Sequence, residues 1–256
     1  MCILGSAMAN DLELDGATPS TNGAPRRRTG GRLPHQLPSG RHGLPRDFVE
    51  KNQRERILRA VVEVASETGY GALTVRDVIE AAGVSRRTFY DHFDNKEEAF
   101  LAAYHLVVGR LAVDVEESSS KGGDWCESIL FGLSTFLDVM ARDPALAHLL
   151  VVEVLAAGPP ALASRAAAME AFRAFLEPGF DEAPEGLPVP ALAAETAIGG
   201  AYEVIYSLIL QDRTAELPAL LPDLLQIVLL PFVGAQTAAD HATRARRAHI
   251  RPMQTR

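Results

Sequence analysis

From Phe48 to Val233 the apolar residues return at intervals of three and four, and no stretch alternates apolar with polar residues as a half-buried strand does. That spacing leaves one architecture open, helices packed on helices, so the fold is expected to be all-α. The first helix is expected over about residues 48–68. Ile57, Leu58, Val61, Val62 and Ala65 form its inward stripe and Gly69 ends it. Proline, glycine and acidic punctuation predict further helices over 95–117, 124–142, 144–157, 159–177, 190–211 and 217–233, with a polar break at 118–123.

Both ends depart from this pattern. Residues 1–47 are rich in Gly, Pro, Ser, Thr and Arg without apolar periodicity, which predicts a disordered basic arm carrying Arg26, Arg27, Arg28, Arg32, Arg41 and Arg46. Such an arm is either a solvated tail or a segment that tracks phosphates or enters a minor groove. Residues 237–256, with Arg244, Arg246, Arg247, Arg251 and Arg256, are expected to form a basic disordered tail, more simply read as solvated. Cys2 and Cys126 stand far apart with no Cys-x-x-Cys or Cys/His cluster, which argues against a disulfide framework and a structural zinc site. The start lacks the basic flank and long apolar run of a signal peptide, and no run approaches the roughly 18 apolar residues of a membrane span. A soluble, cytoplasmic protein with no membrane partner is expected.

A net charge of −8 speaks at first against nucleic acid, because binding rests on Lys and Arg neutralising phosphates. The charge is unevenly placed. Residues 97–236 hold 20 acidic and 6 basic residues, whereas the remainder hold 13 acidic and 19 basic. The asymmetry marks two functional parts.

Between them lies the segment with the most specific pattern. Thr74 is a plausible N-cap with Asp77 three residues on. A short helix then runs through Val78 and Ile79 to Ala82, breaks at Gly83 and restarts after Ser85, another good N-cap. Two short helices joined by a glycine turn have the outline of a helix-turn-helix, spanning about 74–93. On the second, Phe89 and Phe93 face inward at helical spacing, which turns Arg87 and Asp91 outward beside Thr88 and Tyr90, with Arg86 on the flank. Arginine can pair with guanine O6 and N7, threonine can touch a thymine methyl and tyrosine can reach a phosphate oxygen. The N-termini at Thr74 and Ser85 offer backbone N–H groups to phosphate, and Lys96 adds a cation. Asp91 either accepts from cytosine N4 or repels phosphate. Any solvated helix pair joined by glycine would also show charged outer faces.

The order of residues separates these alternatives. The Thr74-Val75-Arg76 opening, Ala81-Ala82-Gly83-Val84-Ser85 at the turn, Thr88-Phe89-Tyr90 with His92-Phe93, and the Asn95-Lys96-Glu97 helix start closely resemble the signature of the TetR/AcrR family of transcriptional regulators. The resemblance is strong over 55–104 and extends elsewhere only as a helical outline. It implies that Arg86, Arg87, Thr88, Tyr90 and His92 lie on a recognition helix at the DNA, with Arg86 and Arg87 as candidate base readers. It also implies that Thr74, Ser85 and Lys96 meet the backbone. By composition alone His92 could equally be a packed or solvent-facing histidine. The domains implied are the arm at 1–47, a DNA-binding domain at 48–96, a ligand-binding and dimerisation domain at 97–236, and the tail at 237–256.

In the larger domain Trp125, Phe136, Met140, Leu149, Met169, Phe172, Tyr202 and Tyr206 are candidate lining residues for an apolar cavity, each also readable as plain core. As a set they favour a hydrophobic or aromatic small-molecule effector, with Arg142 and His148 as possible polar handles. The expected last two helices carry more apolar surface than they can hide alone, including Ile205, Ile209, Leu221, Leu224, Leu225, Val228 and Leu229. The resemblance implies that this pair forms a homodimer, setting two recognition helices about 34 Å apart on a palindromic double-stranded operator. Gly199 and Gly200 inside a helix predict close helix packing there. No catalytic motif and no His pair at helical spacing is present, so neither an enzyme nor a metal or cofactor is expected. The reading is a ligand-responsive regulator, a repressor released from its operator by a hydrophobic molecule. The alternative is a DNA-binding architectural protein without ligand sensing, which a well-filled centre would favour.

Overall fold

The structure, a computed structural model, describes residues 45–250, with side chains described to residue 247. The expected arm up to residue 44, and Arg251 and Arg256 of the expected tail, lie outside the described residues. Among the described residues every regular element is a helix. The order is α1 (Arg46–Thr68), α2 (Val75–Ala82), α3 (Arg86–His92), α4 (Lys96–Ser119), α5 (Trp125–Arg142), α6 (Pro144–Val151), α7 (Pro159–Leu176), the single turn α8 (Pro178–Asp181), α9 (Ala193–Leu210), α10 (Leu221–Val233) and α11 (Ala235–Ile250).

Local chemistry sets many of these starts. Asn95, Asp124 and Asp143 accept the backbone N–H of Glu98, Glu127 and Leu146 at 2.8, 2.8 and 3.0 Å, opening α4, α5 and α6. Two expected helices are divided. The 144–157 run leaves α-geometry after Val151 and tightens into a 3-10 turn at Glu153–Leu155. The 217–233 run is a 3-10 segment, Thr214–Leu220, before α10 begins, because Pro218 lacks the N–H an α-helix needs and Pro222 suits the first turn of a new one. Thr214–Val233 is the one described stretch long and apolar enough to match a membrane span by length and composition. Most of its large apolar residues are nevertheless in the protein core.

The expected disordered tail is corrected over most of its length, since residues 235–250 form α11. Its inward stripe is Ala238, Ala242 and Ala245, fully buried on α10. Alanine is the best helix former but gives almost no hydrophobic contrast, so the periodicity was too faint to read beside the arginines. As a result the 190–211 and 217–233 helices are not the last two. Ile205, Ile209, Leu221, Leu224, Leu225, Val228 and Leu229 are all buried within the chain.

One continuous core runs from Ile57, Val61 and Phe89 through Phe100 and Leu149 to Ile209 and Leu217. The expected boundary between residues 96 and 97 therefore falls inside a single packed unit, in which α1 packs as extensively on α6 as on α4. A second cluster joins α5, α9, α10 and α11 around Leu229 and Phe232. There Gly179 lets Trp125 approach, since a Cβ at that position would lie 2.5 Å from the indole.

Candidate nucleic-acid interface and effector site

The turn between α2 and α3 is built almost entirely from local bonds. Thr74 Oγ1 accepts from Asp77 N–H at 3.3 Å and donates to the Asp77 carboxylate at 2.6 Å. Ser85 Oγ accepts from Thr88 N–H at 3.0 Å and lies 2.8 Å from the Thr88 hydroxyl. At the end of α2, Gly83 takes a left-handed conformation, φ 59° and ψ 40°. Its N–H reaches Glu80 O, and Val84 N–H reaches Ile79 O, the paired bonds of a Schellman cap.

A side chain from α1 completes this cap. Arg56 donates from Nε to Ala82 O at 3.0 Å and from Nη2 to Gly83 O at 2.6 Å, with a further Nη2 contact to Ala82 O. A cation at the negative end of α2 is favourable in itself, and partial burial lowers the pKa of Arg56 from its ordinary value. No pattern along the sequence singles out Arg56, because its partner lies 26 positions away.

On α3, Arg86, Arg87, Tyr90 and Asp91 are exposed and Phe89 and Phe93 are buried. Arg86 lies over the Tyr90 ring at 5.6 Å, and Arg54 of α1 lies over Phe93 at 5.4 Å. Thr88 and His92 are half-buried, Thr88 facing the Ser85 cap and His92 beside Phe93. A hydrogen bond to Glu50 raises the pKa of Arg46, with Asp91 among the smaller contributors. The start of α1 is therefore within electrostatic reach of the outer face of α3. Lys96 is spent largely inside the protein: its Nζ donates to Tyr70 O at 3.2 Å and Leu73 O at 3.0 Å and sits 4.7 Å from the Tyr70 ring centre. It straps the loop that leads into α2, leaving one N–H of three for a phosphate.

One hydrogen bond ties this head directly to the body. Glu153, in the 3-10 turn after α6, accepts the Tyr70 N–H at 2.6 Å across 83 positions. A lone carboxylate in the apolar run 149–155 was the available signal, since a half-buried charge there needs a donor.

The expected cavity residues fall into several groups. Met140 and Leu149 are fully buried core, and Trp125 stands in the second cluster against Phe232, donating to Phe175 O at 3.2 Å. Phe136 and Phe172 meet edge-on at 5.4 Å, and Tyr202 and Tyr206 stack at 6.3 Å. These four and Met169 are half-buried on α5, α7 and α9. Arg142 is exposed and donates to Asp138 O, while His148 faces Asp212 at 3.4 Å. A cleft lined by Ser134, Leu137, Asp138, Pro218 and Leu221 holds about 30 Å³, against roughly 300–1,000 Å³ for a small-molecule site.

On α9 a Cβ at Gly199 or Gly200 would meet nothing within 4 Å, so the expected close packing at these glycines does not occur among the described residues. Val204 beside them, and Ile227 and Leu230 on α10, are exposed.

Residues 57–103 match the model of a family described as bacterial regulatory proteins, tetR family. The chain is 35% identical over 103 residues to the HTH-type transcriptional repressor KstR of Rhodococcus jostii (strain RHA1), covering 38% of this chain and 45% of that protein. It is 26% identical over 183 residues to the fatty acid metabolism regulator protein of Bacillus subtilis (strain 168), covering 68% of this chain and 92% of that protein. It is also similar to the crystal structure of a transcriptional regulator FadR from Bacillus subtilis in complex with stearoyl-CoA, at 25% identity and a TM-score of 0.61, over 68% of this chain and 97% of that one. The chain spans less than half the length of the first curated relatives it matches. Residues 57–103, which hold the capped helix-turn-helix and the helices that support it, are thus the part of the chain that is similar to the tetR family of bacterial regulatory proteins.

Proposed function

We propose that this protein is a cytoplasmic, ligand-responsive transcriptional regulator that binds a palindromic operator as a homodimer and is released by an apolar small molecule. The observation that carries the reading is the exposed face of α3, Arg86, Arg87 and Tyr90, held by caps at both ends of the turn. Arg86 and Arg87 read bases in the major groove, Tyr90 and the Ser85 end of α3 meet phosphates, and Thr74 does the same at the start of α2. Thr88 and His92 border the contact, and Lys96 positions the loop while offering its remaining N–H. The repressor sense follows the name of the Rhodococcus relative.

The second copy docks on α9 and α10, where Gly199, Gly200, Val204, Ile227 and Leu230 form an exposed apolar strip. Two glycines in a helix interior cost about 1 kcal/mol each relative to alanine, and a close-packed partner helix is a reason to keep them. The effector enters between α5, α7 and α9. In its middle α7 is held only by half-buried residues, its buried positions being Ala161 and Leu176 near the ends, so it is the wall that yields. An acyl-type effector suits this apolar lining and the stearoyl-CoA named for the Bacillus subtilis structure. Its arrival shifts the operator-bound and free populations by its differential affinity for the two.

The test is a gel-shift series at fixed salt on operator fragments selected from genomic DNA. Changing Arg86 and Arg87 together to Ala should weaken specific binding by about 1–3 kcal/mol per base-reading contact. Unchanged specific binding in that double variant would show that α3 is not the reading helix. The full burial of Met140 and Leu149 in the core favours a second reading, a DNA-binding architectural protein. Under it no apolar compound, acyl-CoA included, would release the operator.

A further inference from the structure

Residues 97–236 carry six basic side chains against twenty acidic ones, and among the described residues two of the six are paired with carboxylates. Arg173 is held by Glu170 and Glu177 at 2.5 and 2.9 Å, and Arg213 by Glu216 at 2.7 Å. Arg110, Lys121, Arg142 and Arg165 have no carboxylate partner among the described residues, and of these four Arg165 alone is not exposed. It is half-buried on α7, on the same inward face as Met169 and Phe172 four and seven positions further on.

Its surroundings are aromatic. The guanidinium lies over the Tyr202 ring at 4.3 Å, and its Nε donates to the Tyr202 hydroxyl at 3.2 Å. That hydroxyl in turn donates to Val151 O at 2.8 Å. Of the five N–H groups of the fork, one is thus used by a described residue, and the rest have no carboxylate to take them. A half-buried guanidinium against an apolar wall is costly to keep unless something anionic visits it. From Arg165 to Phe172 is about 10 Å along the helix axis, the length of a fused aromatic pair or a medium acyl segment.

We propose that Arg165 is the anion-recognising residue of the effector site. On this assignment the effector is an amphiphile whose apolar body lies along Met169, Phe172 and Phe136 and whose acidic head takes the free N–H groups of Arg165. The assignment rests on the effector site placed between α5, α7 and α9 above. It adds that a wholly neutral apolar compound is a poor ligand. A carboxylate, a sulfonate and a phosphoryl oxygen share the required chemistry, because each presents two oxygens to the planar fork.

The experiment uses two fluorescent probes with the same apolar body, 1-anilinonaphthalene-8-sulfonate and the uncharged N-phenyl-1-naphthylamine, titrated into the full chain. The wild type should bind the sulfonate about tenfold more tightly than the neutral probe, the effect of one charge-assisted contact in a partly solvated site. R165M and R165Q should bring the two affinities together without changing that of the neutral probe, and R165K should restore part of the preference. F172A should weaken both probes alike, tying the signal to this site rather than to another apolar face. Circular dichroism confirms that each variant is folded, with R165Q serving if R165M is not. The assignment is overturned if the wild type binds neither probe or shows no preference, or if the ratio is the same in wild type and both neutral variants. Specific operator binding by the same proteins without probe reports on the regulator reading separately: intact binding beside an unchanged ratio removes Arg165 alone.

Discussion

Arg56 touches nothing that the protein is proposed to recognise, yet its guanidinium holds the last carbonyls of α2 and so fixes where α3 begins. Tyr104 is a second side chain whose chemistry is internal. Burial pushes its phenol up to about 12 from an ordinary 10.0, an effect that Arg165 opposes and Tyr202 reinforces. The folded chain therefore prefers the protonated phenol more than the unfolded chain does. That stabilisation is complete below pH 10 and is lost as pH rises from about 10 to about 12. Chemical denaturation across that window should show stability falling with pH, less steeply in Tyr104→Phe, and an equal slope in both proteins would contradict the cause given. What the sequence disclosed at this scale was local. The caps at Thr74 and Ser85 act on residues three positions away, and their residue types declare them. Arg56, Glu153 and Arg165 find their partners 26, 83 and 37 positions away, where no pattern along the chain can point.

Among the elements, contrast between apolar and polar faces decided what could be read. The α4 and α5 helices carry large apolar side chains between capped ends, and their predicted limits lie within two residues of those observed. Among its described side chains the α11 helix buries only alanines and was hidden by its arginines, although its contact with α10 makes it part of the fold. The same alanines make that contact intolerant of bulk. Ala242→Leu should cost about 1–3 kcal/mol by overpacking against α10, read as a lowered midpoint in urea. Arg246, which meets Asp223 at 2.7 Å on the exposed side, should contribute under 1 kcal/mol when removed. A substitution at Ala242 as mild as the one at Arg246 would mean that α11 rests on α10 more loosely than its burial indicates.

For the molecule as a whole, the strip on α9 and α10 is where proposed assembly and fold stability separate. Because a Cβ at Gly200 would meet nothing within 4 Å among the described residues, Gly200→Leu should leave the protomer folded, or slightly stabilise it through helix propensity. The variant should sediment as a smaller species than the wild type at equal concentration. If it sediments identically, the second copy docks elsewhere. The spacing of apolar residues revealed the helical class, and the N-caps and glycine turn between Thr74 and Ser85 revealed the helix-turn-helix. It did not reveal that head and body share one core, because a helix pattern says which face is buried and not against what. That shared core bears on how the protein is made. The packed face of α1 is shared among α2, α4 and α6, and the turn after it is finished by Glu153. A ribosome-bound chain that has released only its first four helices still lacks the part of the wall that α6 supplies to α1. Such a fragment should be a poor reader of DNA, so unfinished copies would not compete with complete ones for a promoter.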